Sequence, residues 1–79
     1  MIAANIHIPS KRAKYSFNVK DEDAIADFIQ REFGDAVGDN GIPLYIEASS
    51  WCSLACVGEV FSNDLFTIDL EDLSVSESL

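Results

Sequence analysis

Apolar and polar positions alternate at the beginning of the chain. Within residues 2–8, isoleucines at positions 2, 6 and 8 share one side with an alanine at position 4. A period of two predicts a half-buried strand. After a turn over residues 9–13, Tyr15, Phe17 and Val19 alternate with polar residues and predict a second strand. The short connection between the two segments predicts a β-hairpin.

The period of the apolar positions changes after Asp21. Four apolar residues follow the spacing i, i+3, i+4, i+8, namely Ile25, Phe28, Ile29 and Phe33. This spacing places them on one face of an amphipathic helix. Asp21 is a residue type that accepts hydrogen bonds from the first free amides of a helix, and Gly34 is a typical C-terminal stop. We therefore expect a helix from about residue 21 to residue 33.

In the second half of the chain, apolar and polar positions again alternate over short segments. Residues 34–43 form a loop rich in turn-forming residues, and residues 44–48 alternate as in a third strand. Residues 51–61 fit two structures: a strand over 53–61, which we favour, or a helix capped by Ser50 and ended by Gly58. A turn at residues 62–64 leads to a last strand that contains Phe66, Ile68 and Leu70.

The predicted element order is β-β-α-β-β-β. This order favours an α+β, two-layer architecture in which an antiparallel sheet carries one helix on one face. We expect a single domain over residues 1–71, followed by a flexible acidic and Ser-rich tail over residues 72–79.

Length and composition narrow the possible classes of protein. The chain has 79 residues, which excludes a two-domain enzyme, and its 48% of hydrophobic residues argues against intrinsic disorder. No apolar run approaches the roughly 18 residues that span a membrane, and residues 1–5 lack the pattern of a signal peptide. We expect a cytoplasmic protein, either a monomer or a weak homodimer, that does not interact with membranes.

Charge is the most informative feature of the sequence. The formal net charge is -9, which makes direct binding to nucleic acid unfavourable. All five basic residues lie in the first 31 positions: Lys11, Arg12, Lys14, Lys20 and Arg31. From residue 32 to residue 79 there is no Lys or Arg, whereas ten Asp and Glu residues occur there. This excess of negative charge destabilises a compact domain through self-repulsion, so we interpret the excess as functional.

Strand alternation would gather many of these acids on one surface. We expect the outer face of the sheet, which has no helix to cover it, to combine carboxylates with aromatic side chains. The predicted partner-binding residues are Glu47, Glu59, Asp64, Asp69, Glu71 and Asp72, with Tyr45, Trp51 and Phe61 as anchors. Apolar anchors surrounded by charge are typical of a protein interface. The alternative is an ordinary solvated sheet face.

The chemistry-bearing residues do not predict an active site or a cofactor. Cys52 and Cys56 fit buried core positions, and a zinc site of four N/S donors is excluded because His7 is the only histidine. No local motif supports a His7–Cys nucleophile. The loop at residues 34–41 lacks the EF-hand spacing, so we interpret it as a turn rather than a weak Ca²⁺ site. The basic residues at 11, 12 and 14 fit a solvated hairpin tip.

In size, acidity and one-helix α+β outline, the chain resembles the small phage-encoded anti-CRISPR and anti-restriction inhibitors. The resemblance covers the whole chain in character, and no motif in Ile2–Ile8, residues 21–33 or residues 66–71 is specific to these inhibitors. The resemblance implies a protein that presents carboxylates to the positively charged groove in which a partner holds DNA or guide RNA.

These observations lead to one main hypothesis and two alternatives. The main hypothesis is a non-enzymatic, DNA-mimicking inhibitor that binds a basic nucleic-acid-binding protein, such as a CRISPR effector complex or a restriction-type nuclease. The first alternative is an immunity or antitoxin protein that caps a basic toxin nuclease. The second is a small metal-binding protein or another domain of a different role.

Overall fold

The computed structural model describes residues 1–73 and shows a four-stranded antiparallel sheet with two helices on one face. The elements are β1 (Ile2–Ile8), a 3-10 turn (Pro9–Lys11), β2 (Ala13–Asn18), α1 (Glu22–Phe33), α2 (Leu44–Leu54), β3 (Val60–Ser62) and β4 (Thr67–Asp72). The α+β class is confirmed. The predicted order with a single helix is wrong, because the chain runs β-β-α-α-β-β.

The β1–β2 hairpin forms as the alternation predicts. The strands pair antiparallel, with Ile6 opposite Tyr15 and Ile8 opposite Ala13. The connecting turn closes with Arg12 in the left-handed region (φ 51°), where its amide donates to the carbonyl of Pro9 at 3.1 Å. The hairpin thereby supplies two of the four strands.

β1 lies in the middle of the sheet, whose strand order is β2-β1-β4-β3. The inner face of β1 buries Ile6 and Ile8 under the helices, as the period of two requires. On the outer face Ala3 and Asn5 are also buried, at 4% and 5% exposure. Because β1 has a neighbouring strand on each side, its residues are buried even on the sheet face that no helix covers.

α1 covers the half of the sheet that contains β2. Ile25 and Ile29 are fully buried, and the Phe28 ring lies 4.7 Å from Tyr15 and 5.2 Å from Phe17, measured between centroids. Gly34 ends the helix: its amide donates to the Gln30 carbonyl at 2.7 Å. The predicted helix and its stop are confirmed to within one residue.

The predicted third strand at residues 44–48 is wrong, since these residues begin α2. Leu44, Ala48 and Cys52 are buried at the spacing i, i+4, i+8. Because a period of two also places positions 44 and 48 on the same side, the short alternating run did not distinguish strand from helix. The loop before α2 closes through an amide–carbonyl bond from Leu44 to Ala36 at 2.9 Å.

The favoured strand over residues 53–61 is also wrong. α2 continues to Leu54, a turn containing Gly58 (φ +100°) follows, and only Val60–Ser62 is extended. The helix alternative was correct for residues 51–54, although α2 begins before Ser50 rather than at it. Gly58 stands in the turn after the helix and does not end it.

The β3–β4 hairpin confirms the predicted pairing of the last two segments. Phe61 lies opposite Ile68, and Phe66 is fully buried in the core just before β4. The Phe66 ring stacks on Phe33 at 5.1 Å and on Phe61 at 5.9 Å. This aromatic cluster joins the end of α1 to the β3 edge of the sheet.

The predicted tail starts at residue 72, which the structure places in β4. Asp72 is the last residue of β4 and pairs with Ile2. Residues 74–79, which make up most of the predicted tail and include Glu77, lie outside the described residues.

Candidate partner-binding site

The structure does not bring the predicted carboxylates onto one sheet face. Asp69 and Glu71 occupy the outer face of β4, whereas Glu47 lies in the first turn of α2. Glu59 lies in the loop after α2 and Asp64 in the turn between β3 and β4. Asp72 lies on the opposite face of β4, which is the face toward the helices. The expected single surface does not form, because residues 44–54 form α2 and residues 55–59 form a loop in place of the strands predicted there.

The three predicted aromatic anchors face the interior. Tyr45, Trp51 and Phe61 are partly buried and pack against the core. The Trp51 and Phe61 rings lie 5.7 Å apart between centroids, which fastens α2 to β3. Their main contribution is to the packing of the two layers, and they do not form an exposed patch.

Asp69 belongs to a hydrogen-bonded network across the outer sheet face. Its two carboxylate oxygens accept bonds from Asn5 Nδ2 at 2.9 Å and from His7 Nε2 at 2.8 Å. The same Asn5 amide also donates to Glu71 at 3.2 Å, and its oxygen accepts from the Ser16 hydroxyl at 2.6 Å. Burial alone would raise the pKa of Asp69, but these hydrogen bonds outweigh it and hold the pKa below its usual value. The network as a whole links β1, β2 and β4.

A cleft of about 540 Å³ lies elsewhere, between the loop before α2, the start of α2 and the β3–β4 turn. We call it the acidic cleft. Its lining residues are Val37, Gly38, Asp39, Asn40, Leu44, Glu47, Phe61, Ser62, Asn63, Asp64 and Leu65. Two of the predicted partner-binding acids, Glu47 and Asp64, thus meet in one site, together with Asp39.

The first wall of the acidic cleft is a loop shaped by Asn40. Its Oδ1 atom accepts the amide of Ile42 at 3.1 Å, and its Nδ2 atom donates to Glu47 Oε2 at 2.7 Å. Backbone bonds between Gly38 and Ile42 and between Gly41 and Gly38, both 3.0 Å, close the loop. The hydrogen bond from Asn40 therefore orients the Glu47 carboxylate toward this loop.

The second wall is the turn between β3 and β4, which Asn63 shapes in the same way. Its Oδ1 atom accepts the amides of Leu65 at 2.8 Å and Phe66 at 2.9 Å. The turn leaves Asp64 exposed beside Leu65, which is 41% exposed. Each wall thus presents one aspartate next to an asparagine that fixes the backbone.

The acidic cleft has no internal counter-charge. Among residues 1–73, no Lys, Arg or His lies within 4.0 Å of the carboxylates of Asp39, Glu47 or Asp64. The basic side chains that pair with acids do so elsewhere, where Lys11 bonds Glu32 and Arg31 lies 2.9 Å from Asp27.

The floor of the acidic cleft is apolar. Leu44, Phe61 and Leu65 line it between the two acidic walls. A Lys or Arg side chain combines a hydrocarbon stem with a charged head, so its stem fits such a floor while its head meets the carboxylates. The arrangement is chemically suited to a cationic side chain of another protein.

The sequence alone did not mark Asp39 and Asn40 as part of a partner site. Their signal was the turn sequence Gly-Asp-Asn-Gly at residues 38–41, interpreted as a turn with a weak Ca²⁺ alternative. Within the described residues, no group of three or more His, Cys, Asp or Glu side chains is arranged to hold a metal ion.

The two cysteines have different environments. Cys52 is buried on the inner face of α2, and burial, together with the negative charge of Glu22, raises the pKa of its thiol to about 11. Cys56 is exposed in the following loop, so the prediction of two buried thiols holds for Cys52 only. The reason is that α2 ends at Leu54, before the second thiol.

Comparisons of the chain with protein families, with curated proteins and with solved structures find no match. Across residues 1–73, neither helix has the length and apolar character needed to cross a membrane.

Proposed function

We propose that the protein is a non-enzymatic inhibitor that binds a basic nucleic-acid-binding protein, such as a CRISPR effector complex or a restriction-type nuclease, and blocks its binding of DNA. The observation that carries the proposal is the acidic cleft, whose carboxylates of Asp39, Glu47 and Asp64 have no counter-charge within the described residues. The absence of Lys and Arg from residue 32 onward extends the same negative field around it.

In this mechanism carboxylates take the places of phosphates opposite the partner's Lys and Arg. Long-range attraction between the two surfaces raises the association rate, and it weakens as salt increases. Asn40 fixes the Glu47 carboxylate at 2.7 Å, so little ordering is left for the moment of binding. The apolar floor at Leu44 and Phe61 adds burial of the partner's side-chain stems.

A pair of charge-matched variants tests the site. The cleft variant carries Asp39→Asn, Glu47→Gln and Asp64→Asn, and the control carries three Asp→Asn changes on and before α1, at Asp21, Asp23 and Asp27. Both remove the same amount of charge. Each protein is used to capture purified DNA-binding nuclease complexes in the presence and absence of competing DNA.

We expect the wild type and the control to bind a nuclease complex, and we expect DNA and high salt to displace them. The cleft variant should bind at least about tenfold more weakly. Binding that is indifferent to both DNA and salt would contradict the proposal, as would equal loss of affinity in both variants. Nuclease complexes that never bind the wild type would contradict it as well.

A further inference from the structure

Two large apolar side chains lie exposed on the outward face of α2. Ile46 is 44% exposed and Leu54 is 84% exposed. Their spacing of i, i+8, with Ser50 at i+4, places all three in one row along the helix. At a rise of 1.5 Å per residue, the two apolar side chains stand about 12 Å apart.

Serines fill the space around this row. Ser49 Oγ donates to the Ile46 carbonyl at 3.2 Å, and Ser53 Oγ donates to the Ser50 carbonyl at 2.9 Å. Because these two hydroxyl protons are already bonded within the helix, covering Ser49 and Ser53 with a partner leaves neither of their donors unsatisfied. Small side chains between two larger ones also make a shallow groove that another helix can approach closely.

The charged side chains of α2 and of the loop that follows it are both negative. Glu47 is the only charged residue of α2, and the Glu59 carboxylate accepts the Cys56 amide at 2.7 Å, just after the helix ends. The last turn of α2 carries no basic residue to compensate the negative end of the helix dipole. A second copy of this chain would bring two negative surfaces together, whereas a cationic partner is complementary.

We infer that the row of Ile46, Ser50 and Leu54 docks an amphipathic helix of the basic partner, with its apolar residues on the row and its Lys or Arg residues toward Glu47 and Glu59. The inference rests on the proposed function for the sign of the partner's charge. It assigns the apolar part of recognition to α2 and the polar part to the acidic cleft. An amphipathic helix in a groove buries apolar area that an extended basic segment does not offer.

Three synthetic peptides of about 18 residues test the inference. The first is a Leu/Lys peptide with Leu at helical i, i+3, i+4 spacing, the second has the same composition in scrambled order, and the third is oligolysine. Affinity is measured by calorimetry, and the contacted residues are mapped by amide chemical shifts. The variants are Ile46→Ser with Leu54→Ser, and a control Val60→Ser, since Val60 is 58% exposed on β3.

We expect the amphipathic peptide to bind more tightly than the scrambled one and to shift the amides of residues 46–54. The double serine variant should lose about tenfold or more in affinity for this peptide, and the Val60 control should not. Well-dispersed spectra of each variant establish that it is folded. Equal affinity for ordered and scrambled peptides, or no effect of the serine variant, would overturn the inference.

The same experiment separates this inference from the proposed function. If oligolysine binds, and Asp39→Asn with Asp64→Asn abolishes that binding, the proposed function stands even when the amphipathic peptide has no advantage. In that case only the docking role of α2 is lost. If no cationic peptide binds the wild type, both proposals are contradicted.

Discussion

Asn40 and Glu47 are joined by a 2.7 Å hydrogen bond from Nδ2 to Oε2, which ties the loop before α2 to the first turn of that helix. The two residues are seven positions apart in sequence, and the loop that contains Asn40 turns back on itself through the Gly38–Ile42 backbone bond. The bond therefore does two things at once. It stabilises the start of α2, and it fixes a carboxylate in the wall of the acidic cleft.

Asn40→Ala should weaken both the fold and the site. The variant loses the bond to Glu47 and the bond from the Ile42 amide. We expect a loss of about 1–2 kcal/mol in the free energy of unfolding and a weaker affinity for oligolysine. The matched control is Asn18→Ala, because Asn18 Oδ1 accepts the Lys20 amide at 3.0 Å in a similar turn remote from the cleft. Urea unfolding and calorimetry measure the two effects, and equal oligolysine affinity in both variants would argue against a fixed Glu47.

Substitutions at two glycines should separate effects on the stability of the fold from effects on the binding of cationic peptides. Gly34 has φ +63° and ψ -132°, a backbone conformation that costs other residues strain, and an added Cβ would meet nothing within 4 Å. Gly34→Ala should therefore destabilise the fold by about 1–2 kcal/mol without changing affinity for cationic peptides.

Gly38→Ala should affect peptide binding more than it affects the stability of the fold. Its added Cβ would lie 3.2 Å from Glu47 Oε1 and 3.4 Å from Asn40 Oδ1, so the carboxylate must move by a few tenths of an ångström. We expect weaker binding of oligolysine with a smaller change in unfolding free energy than at position 34. Thermal unfolding and calorimetry on both variants make the comparison, and the reverse pattern would show that the cleft geometry does not matter.

The elements whose apolar positions follow a single clear period were predictable from the sequence. β1 alternates over seven residues and α1 holds four apolar residues on one helical face, so neither segment fits the other period. α2 lacks this contrast, because Ile46 and Leu54 are exposed while Leu44 and Ala48 are buried. A helix with apolar residues on both faces does not show a clear helical period, and this hid α2.

The candidate site depended on that missed helix. The negative charge of the second half was evident, and two of the predicted acids, Glu47 and Asp64, line one cleft. Their location was not predictable, since the acidic cleft joins a loop, a helix start and a hairpin turn that are far apart in sequence. The hydrogen bonds of Asp69 were not predictable for the same reason, because its partners Asn5 and His7 lie on a strand more than 60 residues earlier.

The two thiols should react at very different rates. Under native conditions a thiol reagent such as DTNB should label the exposed Cys56, and Cys52 should react only after unfolding. Cys56→Ser is the control, since it should remove the native reaction completely. Rapid labelling of Cys56→Ser without denaturant would show that α2 opens readily or that Cys52 is not buried.

Cys52 also makes a prediction for alkaline pH. Burial raises the pKa of its thiol from 9.0 to about 11, so between these values the folded state keeps a proton that the unfolded state releases. The free energy of unfolding should fall as pH rises through this window, by about 2–3 kcal/mol at most. Subtracting the curve of Cys52→Ala isolates this residue from other groups, and parallel curves for the two proteins would contradict the assignment.

Asp69 should make the fold sensitive to acid. Its pKa is held below the ordinary value of 3.8 by hydrogen bonds from Asn5 and His7, against the opposing effect of burial. The contribution of a carboxylate with a lowered pKa is present above its unfolded pKa and is lost as pH falls through the folded one. We therefore expect Asp69→Asn to be destabilised at neutral pH and to lose this disadvantage at a pH well below 3.8.

The control for this prediction is Asp64→Asn, which removes a carboxylate that lies exposed in the β3–β4 turn. Urea unfolding of wild type, Asp69→Asn and Asp64→Asn across the acid range gives the comparison. Only the difference between wild type and Asp69→Asn should shrink as the carboxylate takes up its proton, because Asp69, unlike Asp64, accepts side-chain hydrogen bonds from β1. A constant difference at every pH would mean that Asp69 acts through its shape and neutral hydrogen bonds rather than through its charge.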